Sequence, residues 1–192
     1  MTKNRLEAFS DGVLAIVITI MVLELKAPHD PSLDGLIKLW PVLLSYVLSF
    51  VYVGIYWNNH HHTFHAVKHV NGAVLWANMH LLFWLSLVPF TTAWMGENHF
   101  ALWPVFVYAL VLLFCAIAYT ILLRVLIAAN GRESTLAIAI GKDRKGYVSL
   151  ALYVLSLPLV FVHPLLGVAC FVAVAVIWFI PDRRLERALL GE

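Results

Sequence analysis

Residues 60–69 contain a cluster of histidines, which is the clearest candidate for a metal site in this sequence. The pairs His61/His65 and His65/His69 have the i, i+4 spacing that lets two imidazoles on one helix face share a metal ion. Integral-membrane di-iron oxygenases need several such boxes on one side, and here only His80 could approach the cluster. We therefore expect no metal site and no enzyme. The histidines either hydrogen-bond a neighbouring helix or titrate near neutral pH as a sensor.

A single carboxylate, Asp11, stands at the start of the first long apolar segment. At membrane depth a carboxylate costs about 2.5–3.5 kcal/mol on insertion scales, so it is expected to face protein or water and to have a partner. Arg5 lies six residues back on a different helix face. We expect the partner among Asn58, Asn59 and the nearby histidines. One role open to Ser10 and Asp11 is structural, locking the first helix to its neighbours.

The composition indicates that these residues are held by a helical bundle in lipid. Of the 192 residues, 62% are hydrophobic and 12% are charged, and the mean hydropathy is +0.86. A soluble domain is nearer half apolar, with about a quarter of its residues charged. Cys115 and Cys170 lie in apolar stretches and are expected to be buried thiols. The loops are too short for a soluble catalytic domain, so the chain is predicted to be one domain over residues 1–192.

Six membrane-spanning helices are predicted, which makes the fold all-α. A spanning helix needs about 20 mostly apolar residues. The last apolar region is too long for one helix, and His163-Pro164 divides it because proline disfavours helix in the residue before it. The predicted spans cover residues 4–26, 36–60, 70–95, 100–127, 147–162 and 164–180.

The distribution of basic residues supports six spans. With that number both termini share one side of the membrane with the second–third and fourth–fifth loops. The other side keeps only Lys26 and Lys38 of the 13 basic residues. Cytoplasmic loops carry the excess of Lys and Arg, so both termini are placed in the cytoplasm. The residues on that side are Lys3, Arg5, Lys68, Arg124, Arg132, Lys142, Arg144, Lys145, Arg183, Arg184 and Arg187.

The first span carries an apolar stripe. Ile16, Ile20, Leu23 and Ala27 recur at i, i+4, i+7 and i+11, which is one helix face, and Thr19 lies beside it. Periodicity identifies a face but not what the face meets. Taken alone, the pattern favours packing against other helices.

The start of this helix resembles the signature of a known family. Arg5 is followed by Phe9, Ser10 and Asp11 and then by an apolar helix. This pattern is similar to that of the transmembrane protein 175 family, the endosomal and lysosomal potassium channels and their prokaryotic relatives. With one six-helix repeat, the chain resembles the prokaryotic form, which assembles as a homotetramer. Further residues assigned to the structural network around this motif are Trp57, His61 and Asn78.

The resemblance implies roles for residues of the first span. In the family this helix lines a central pore, and the isoleucine five residues after the motif aspartate forms a hydrophobic constriction. That position is Ile16, and Ile20 and Leu23 match further apolar layers. Thr19 matches a position beside the ion path, where a hydroxyl oxygen can replace part of a cation's hydration shell. Apolar rings of this kind can gate by dewetting or by steric closure.

Two polar features near the pore have competing interpretations. Glu24 either forms an anionic ring at the outer mouth or pairs with Lys26 or Lys38. Residues 52–56 read YVGIY and superficially match the TVGYG filter of ordinary potassium channels. The order is wrong and the segment lies within a predicted unbroken helix, whose carbonyls are already bonded. We therefore expect no filter of that type.

The resemblance implies a potassium-selective, leak-type channel with a side-chain constriction. A secondary transporter and a proton-permeable channel remain alternatives. K⁺ is the expected permeant ion, with no cofactor and no nucleic acid. The expected partners are the lipid bilayer and further copies of the chain, in the plasma membrane of a prokaryote.

Overall fold

The structure is a computed structural model that describes residues 2–141 and 143–179. Within these residues the chain is all-helical. The helices are α1 (Lys3–Leu23), α2 (Leu33–Ile37), α3 (Trp40–His65), α4 (Gly72–Ser86), α5 (Val88–Glu97), α6 (Leu102–Asn130), α7 (Thr135–Ile140), α8 (Arg144–Val162) and α9 (Pro164–Phe179).

Five segments of the described chain are long and apolar enough to cross a membrane. They are α1, α3, α4 with α5, α6 and α8, with mean hydropathy between 1.5 and 2.6. The segment α9 is apolar but has only 16 residues in the described part. Ile180, the predicted last residue of the sixth span, lies outside the described residues, as do Lys142 and the three arginines after residue 180.

The predicted third span, 70–95, is two helices rather than one. α4 ends at Ser86, and α5 begins at Val88 after a turn at Leu87. Pro89 lies in the first turn of α5 and has no N–H to donate, so Leu85 loses a helical hydrogen-bond partner. The two helices together remain one segment that is long and apolar enough to cross a membrane, as the predicted span requires.

Other helix ends also differ from the predicted ones. Instead of starting at 36, the second span is preceded by the short α2, and α3 begins only at Trp40, with a proline in its first turn. α1 stops at Leu23 rather than at 26. α8 starts at Arg144 because the Asp143 side chain accepts a hydrogen bond from Gly146 N at 2.9 Å and caps the helix.

Hydrogen bonds hold the loops together at the two ends of the bundle. At one end Lys3 Nζ donates to Val67 O at 3.1 Å, and the backbone N–H groups of Lys68 and His69 donate to Asn130 Oδ1. At the other end Lys26 Nζ lies 3.3 Å from Glu97 Oε1. The start of α1, the α3–α4 loop and the end of α6 therefore share one end of the bundle.

Buried hydroxyl groups join the helices in the core. The Ser49 hydroxyl of α3 lies 2.6 Å from that of Thr92 and 2.9 Å from that of Tyr108. Tyr52 donates to the backbone carbonyl of Phe171 at 2.6 Å, and its neighbour Gly54 continues the same unbroken helix. Residues 52–56 therefore belong to packed helix, and their carbonyls are not arranged as a filter loop.

Gly96 lets α5 approach α3 closely, and a methyl group there is expected to be destabilising. A Cβ at Gly96 would lie 2.8 Å from Val42 Cα and would also clash with the Ser45 hydroxyl. Because backbone must move, we expect Gly96→Ala to lower the free energy of unfolding by about 1–2 kcal/mol. Gly54→Ala is the matched control, since a Cβ there meets nothing within 4 Å. Unfolding of both variants in detergent tests this, and equal stability would contradict it.

Candidate functional site

α1 has two faces with different environments. Its buried residues recur every three or four positions and pack against α3, α4 and α5. The opposite face is open along most of its length although it is largely apolar. The buried residues are Leu6, Ser10, Leu14, Val17 and Met21.

The predicted constriction residues lie on the open face. Ile16, Ile20 and Leu23 are 59%, 42% and 73% exposed. Large apolar side chains in such positions must be covered by lipid or by another copy of the chain. Because α1 packs on its own subunit only through its buried face, the open face is free to line a pore.

Thr19 is exposed beside this stripe, and its hydroxyl is oriented by a local hydrogen bond. Thr19 Oγ1 donates to Ala15 O at 2.8 Å. Since the hydroxyl hydrogen points back along the helix, the oxygen lone pairs are left for an outside partner. A hydroxyl held in this way can act as a ligand for a cation.

Small residues lie on the same open side. Ala8, Gly12 and Ala15 are exposed, and a Cβ at Gly12 would meet nothing within 4 Å. Small residues at three- and four-residue spacing let another transmembrane helix approach closely. The open side of α1 thus combines a wide apolar stripe with room for a neighbouring backbone.

A buried polar chain ties α1 to α3 and α4. Asn78 Nδ2 donates to Ser10 Oγ at 2.9 Å, and Ser10 Oγ donates to Leu6 O. His60 Nε2 lies 2.8 Å from Asn78 Oδ1, and because an amide oxygen only accepts, the imidazole donates. Asn78 therefore bridges the other two side chains, which places two predicted residues, Ser10 and Asn78, in one network.

Asp11 is held by a different partner from those we expected. Trp57 Nε1 donates to Asp11 Oδ1 at 3.0 Å, whereas Asn59 Nδ2 donates to a carbonyl of its own helix. The indole also stacks on His61, with ring centroids 6.0 Å apart. His61 is exposed and lies outside the buried network of Ser10, Asn78 and His60.

The other predicted residues are outside the network. Arg5 and Phe9 are exposed on α1. Glu24 directly follows α1 and is exposed. Lys26, one of the two lysines considered as its partner, pairs with Glu97 instead. Within the described residues, no group of three or more His, Cys, Asp or Glu side chains is arranged to hold a metal ion.

His60 was not singled out within the histidine cluster, although it is the member that joins the buried network. The signal was its position: Tyr52, Tyr56 and His60 have four-residue spacing, and all three are buried on one face of α3. Its neighbour His61 falls about 100° away and is exposed. Extending the aromatic stripe of α3 by one step would have selected the correct histidine.

The fold and the open face of α1 together define a multi-pass helical membrane protein. Comparisons with known proteins identify its family. A model of the family "Endosomal/lysosomal potassium channel TMEM175" matches residues 5–89. A potassium channel from Chryseobacterium sp. (strain P1-3) is 55% identical over 189 residues, covering 98% of each chain. The chain therefore belongs to the TMEM175 family of ion channels.

Two further relatives bear on the fold and on the ion. The crystal structure of a lysosomal potassium-selective channel TMEM175 homolog from Chamaesiphon minutus matches with a TM-score of 0.83 at 32% identity, covering 94% of this chain and 97% of that one. An endosomal/lysosomal proton channel TMEM175 from Gallus gallus is 37% identical over 76 residues, covering 33% of this chain and 15% of that protein.

Proposed function

We propose that four copies of this chain form a potassium-selective leak channel whose pore is lined by α1. The observation that carries this proposal is the apolar stripe of Ile16, Ile20 and Leu23, which is exposed in a helix whose other face is buried. The chain is a potassium channel like the relatives matched along nearly its whole length. Because the stripe is exposed in a single subunit, further copies are needed to enclose a path along it.

In this pore the apolar rings form the constriction, and one ring of hydroxyl groups contacts the ion. Ile16, Ile20 and Leu23 narrow the path and exclude water when the pore closes. Thr19 lies between two of these rings, and its oxygen lone pairs replace part of the hydration shell of K⁺. Glu24, at the end of α1, forms an anionic ring at the outer mouth.

The charge distribution supports the proposed orientation. Both termini lie in the cytoplasm, because the basic residues concentrate at the end of the bundle that holds Lys3, Lys68 and Arg132. The membrane is the plasma membrane of a prokaryote. The channel needs no cofactor and has no catalytic role, with K⁺ as its permeant ion.

Flux through purified protein in liposomes tests the proposal. We expect K⁺ efflux well above Na⁺ efflux, with unitary currents in planar bilayers. A secondary transporter would give slow, saturable flux without unitary currents, and α1 has no break of the kind that transporters use at the midplane. A proton channel would acidify the liposomes with little K⁺ flux. Either result would overturn the assignment.

Thr19→Val is expected to weaken the preference for K⁺ over Na⁺ while leaving the pore open. Valine has the shape of threonine but no oxygen, so the ring of cation ligands is lost. We expect the flux ratio to fall about five- to tenfold, equivalent to about 1–1.4 kcal/mol of ion stabilisation. Thr19→Ser keeps the hydroxyl and should retain the ratio. If the two variants behave alike, Thr19 does not contact the ion.

A further inference from the structure

A cleft that α1 does not line has a charge pattern that ion conduction does not explain. It lies between the second half of α6 and the first turns of α8, and its volume is about 530 Å³. The residues that line it are Thr120, Leu123, Arg124, Ile127, Ile140, Gly141, Asp143, Arg144, Gly146, Tyr147 and Leu150.

Two arginines give the cleft a positive character. Arg124 of α6 and Arg144 of α8 are both exposed, and neither pairs with a carboxylate in residues 2–141 and 143–179. Asp143 is the acidic residue of the wall, and it already accepts a hydrogen bond from Gly146 N as the cap of α8. Tyr147 adds a phenol whose ring is 63% exposed. The cleft thus offers two guanidinium groups and a hydroxyl donor to an anion.

The remaining wall is apolar, which distinguishes this cleft from a site for a soluble anion. Leu123 and Ile127 of α6 face Leu150 of α8 across it. At 1.5 Å per residue, the 29 residues of α6 are about 43 Å long, longer than the hydrocarbon core of about 30 Å. Arg124, six residues before the end of α6, therefore lies at the boundary between hydrocarbon and headgroups.

We propose that this cleft binds an anionic phospholipid, with its phosphate on Arg124 and Arg144 and an acyl chain along the apolar wall. Basic pockets between transmembrane helices on the cytoplasmic side bind lipid headgroups of this kind. Guanidinium groups suit phosphate because their forked N–H donors match two of its oxygens. The site holds α6 and α8 together at the membrane surface where most basic residues of the chain lie.

Native mass spectrometry of the full chain in detergent tests the proposal. Phosphatidylglycerol is titrated against phosphatidylcholine, and wild type is expected to retain the anionic lipid preferentially. Arg124→Gln with Arg144→Gln should weaken phosphatidylglycerol retention about fivefold per arginine, roughly 25-fold together. Arg132→Gln is the matched control, because Arg132 is exposed but does not line the cleft.

Two further arms make the outcome decisive. Arg124→Lys with Arg144→Lys keeps both charges but loses the forked donors, so it should retain more lipid than the double glutamine variant and less than wild type, whereas a loss caused by misfolding would not be rescued. Inorganic phosphate at millimolar concentration should not displace the lipid. Equal retention by the double glutamine variant and wild type would overturn the proposal. Displacement by phosphate would overturn the lipid assignment in favour of a soluble anion.

Discussion

Ile16→Asn is expected to convert the channel into a leak that passes Na⁺ as well as K⁺. Ile16 is 59% exposed on the open face of α1, where four copies would close the path with hydrocarbon. An amide at this position binds water and removes the cost of wetting the constriction. A barrier lower by about 1.4 kcal/mol raises flux tenfold, and we expect at least about that increase for Na⁺. Liposome flux of both ions measures the effect.

The control for this prediction lies on the same helix. Val22 is also exposed, but it is six residues further and about 120° around α1 from Ile16. Val22→Asn introduces the same amide away from the proposed pore stripe and should leave the Na⁺ flux unchanged. If both variants leak, the cause is loosened assembly. If neither leaks although both assemble, α1 does not line the pore through Ile16.

The apolar stripe of Ile16, Ile20 and Leu23 could be recognised from sequence, and the structure shows that it is exposed; its role in lining a pore stays a prediction. The apolar positions of α1 follow helical spacing, and a motif at the start of the helix gives the register. The fold class and the family followed from composition and from that motif, and the comparisons confirm both. Periodicity did not separate the two apolar faces of α1, because Leu14 and Ile16 are equally hydrophobic. Only the packing shows that the first is buried and the second exposed.

The polar contacts were harder to predict, because neighbouring residues with the same chemistry have different environments. His60 and His61 are identical in type, yet a rotation of about 100° buries one and exposes the other. The sequence offered Asp11 several possible donors on α3. In the structure the Trp57 indole donates to Asp11, whereas the Asn59 amide donates to a carbonyl of its own helix. The pairing of Lys26 with Glu97 joins residues 71 positions apart, which local sequence does not indicate.

The turn at Leu87 was also hard to predict, because the local sequence allows two interpretations. A proline in the first turn of a helix is compatible with both a kink inside a span and a new helix start. Hydropathy therefore predicted one span over residues 70–95, and the segment Gly72–Glu97 of the structure is apolar and long enough to cross a membrane once. The break allows α5 to pack on α3 at Gly96 while α4 packs on α6. The two halves of one span therefore pack on different helices.

Asn78→Leu is expected to be among the most destabilising substitutions that keep a side chain of similar size. Asn78 is fully buried and bridges Ser10 of α1 to His60 of α3. Leucine would leave the imidazole donor without a partner, at about 1–3 kcal/mol, and would remove the bond to Ser10, at about 1 kcal/mol. We expect a loss of about 2–3 kcal/mol in the free energy of unfolding, measured by denaturant titration in detergent. Met79→Leu, at an exposed neighbouring position, should have little effect.

A double-mutant cycle separates the orphaned donor from a packing defect. In a His60→Phe background no imidazole donor remains, so Asn78→Leu should cost much less than in wild type, because replacing both partners by apolar groups can be nearly neutral. Additive costs would mean that the asparagine acts through its packing and its bond to Ser10, and not through His60. Strong coupling would establish that the hydrogen bond between His60 and Asn78 joins α3 to α4 and so positions the Asn78 amide that donates to Ser10 on the buried face of α1.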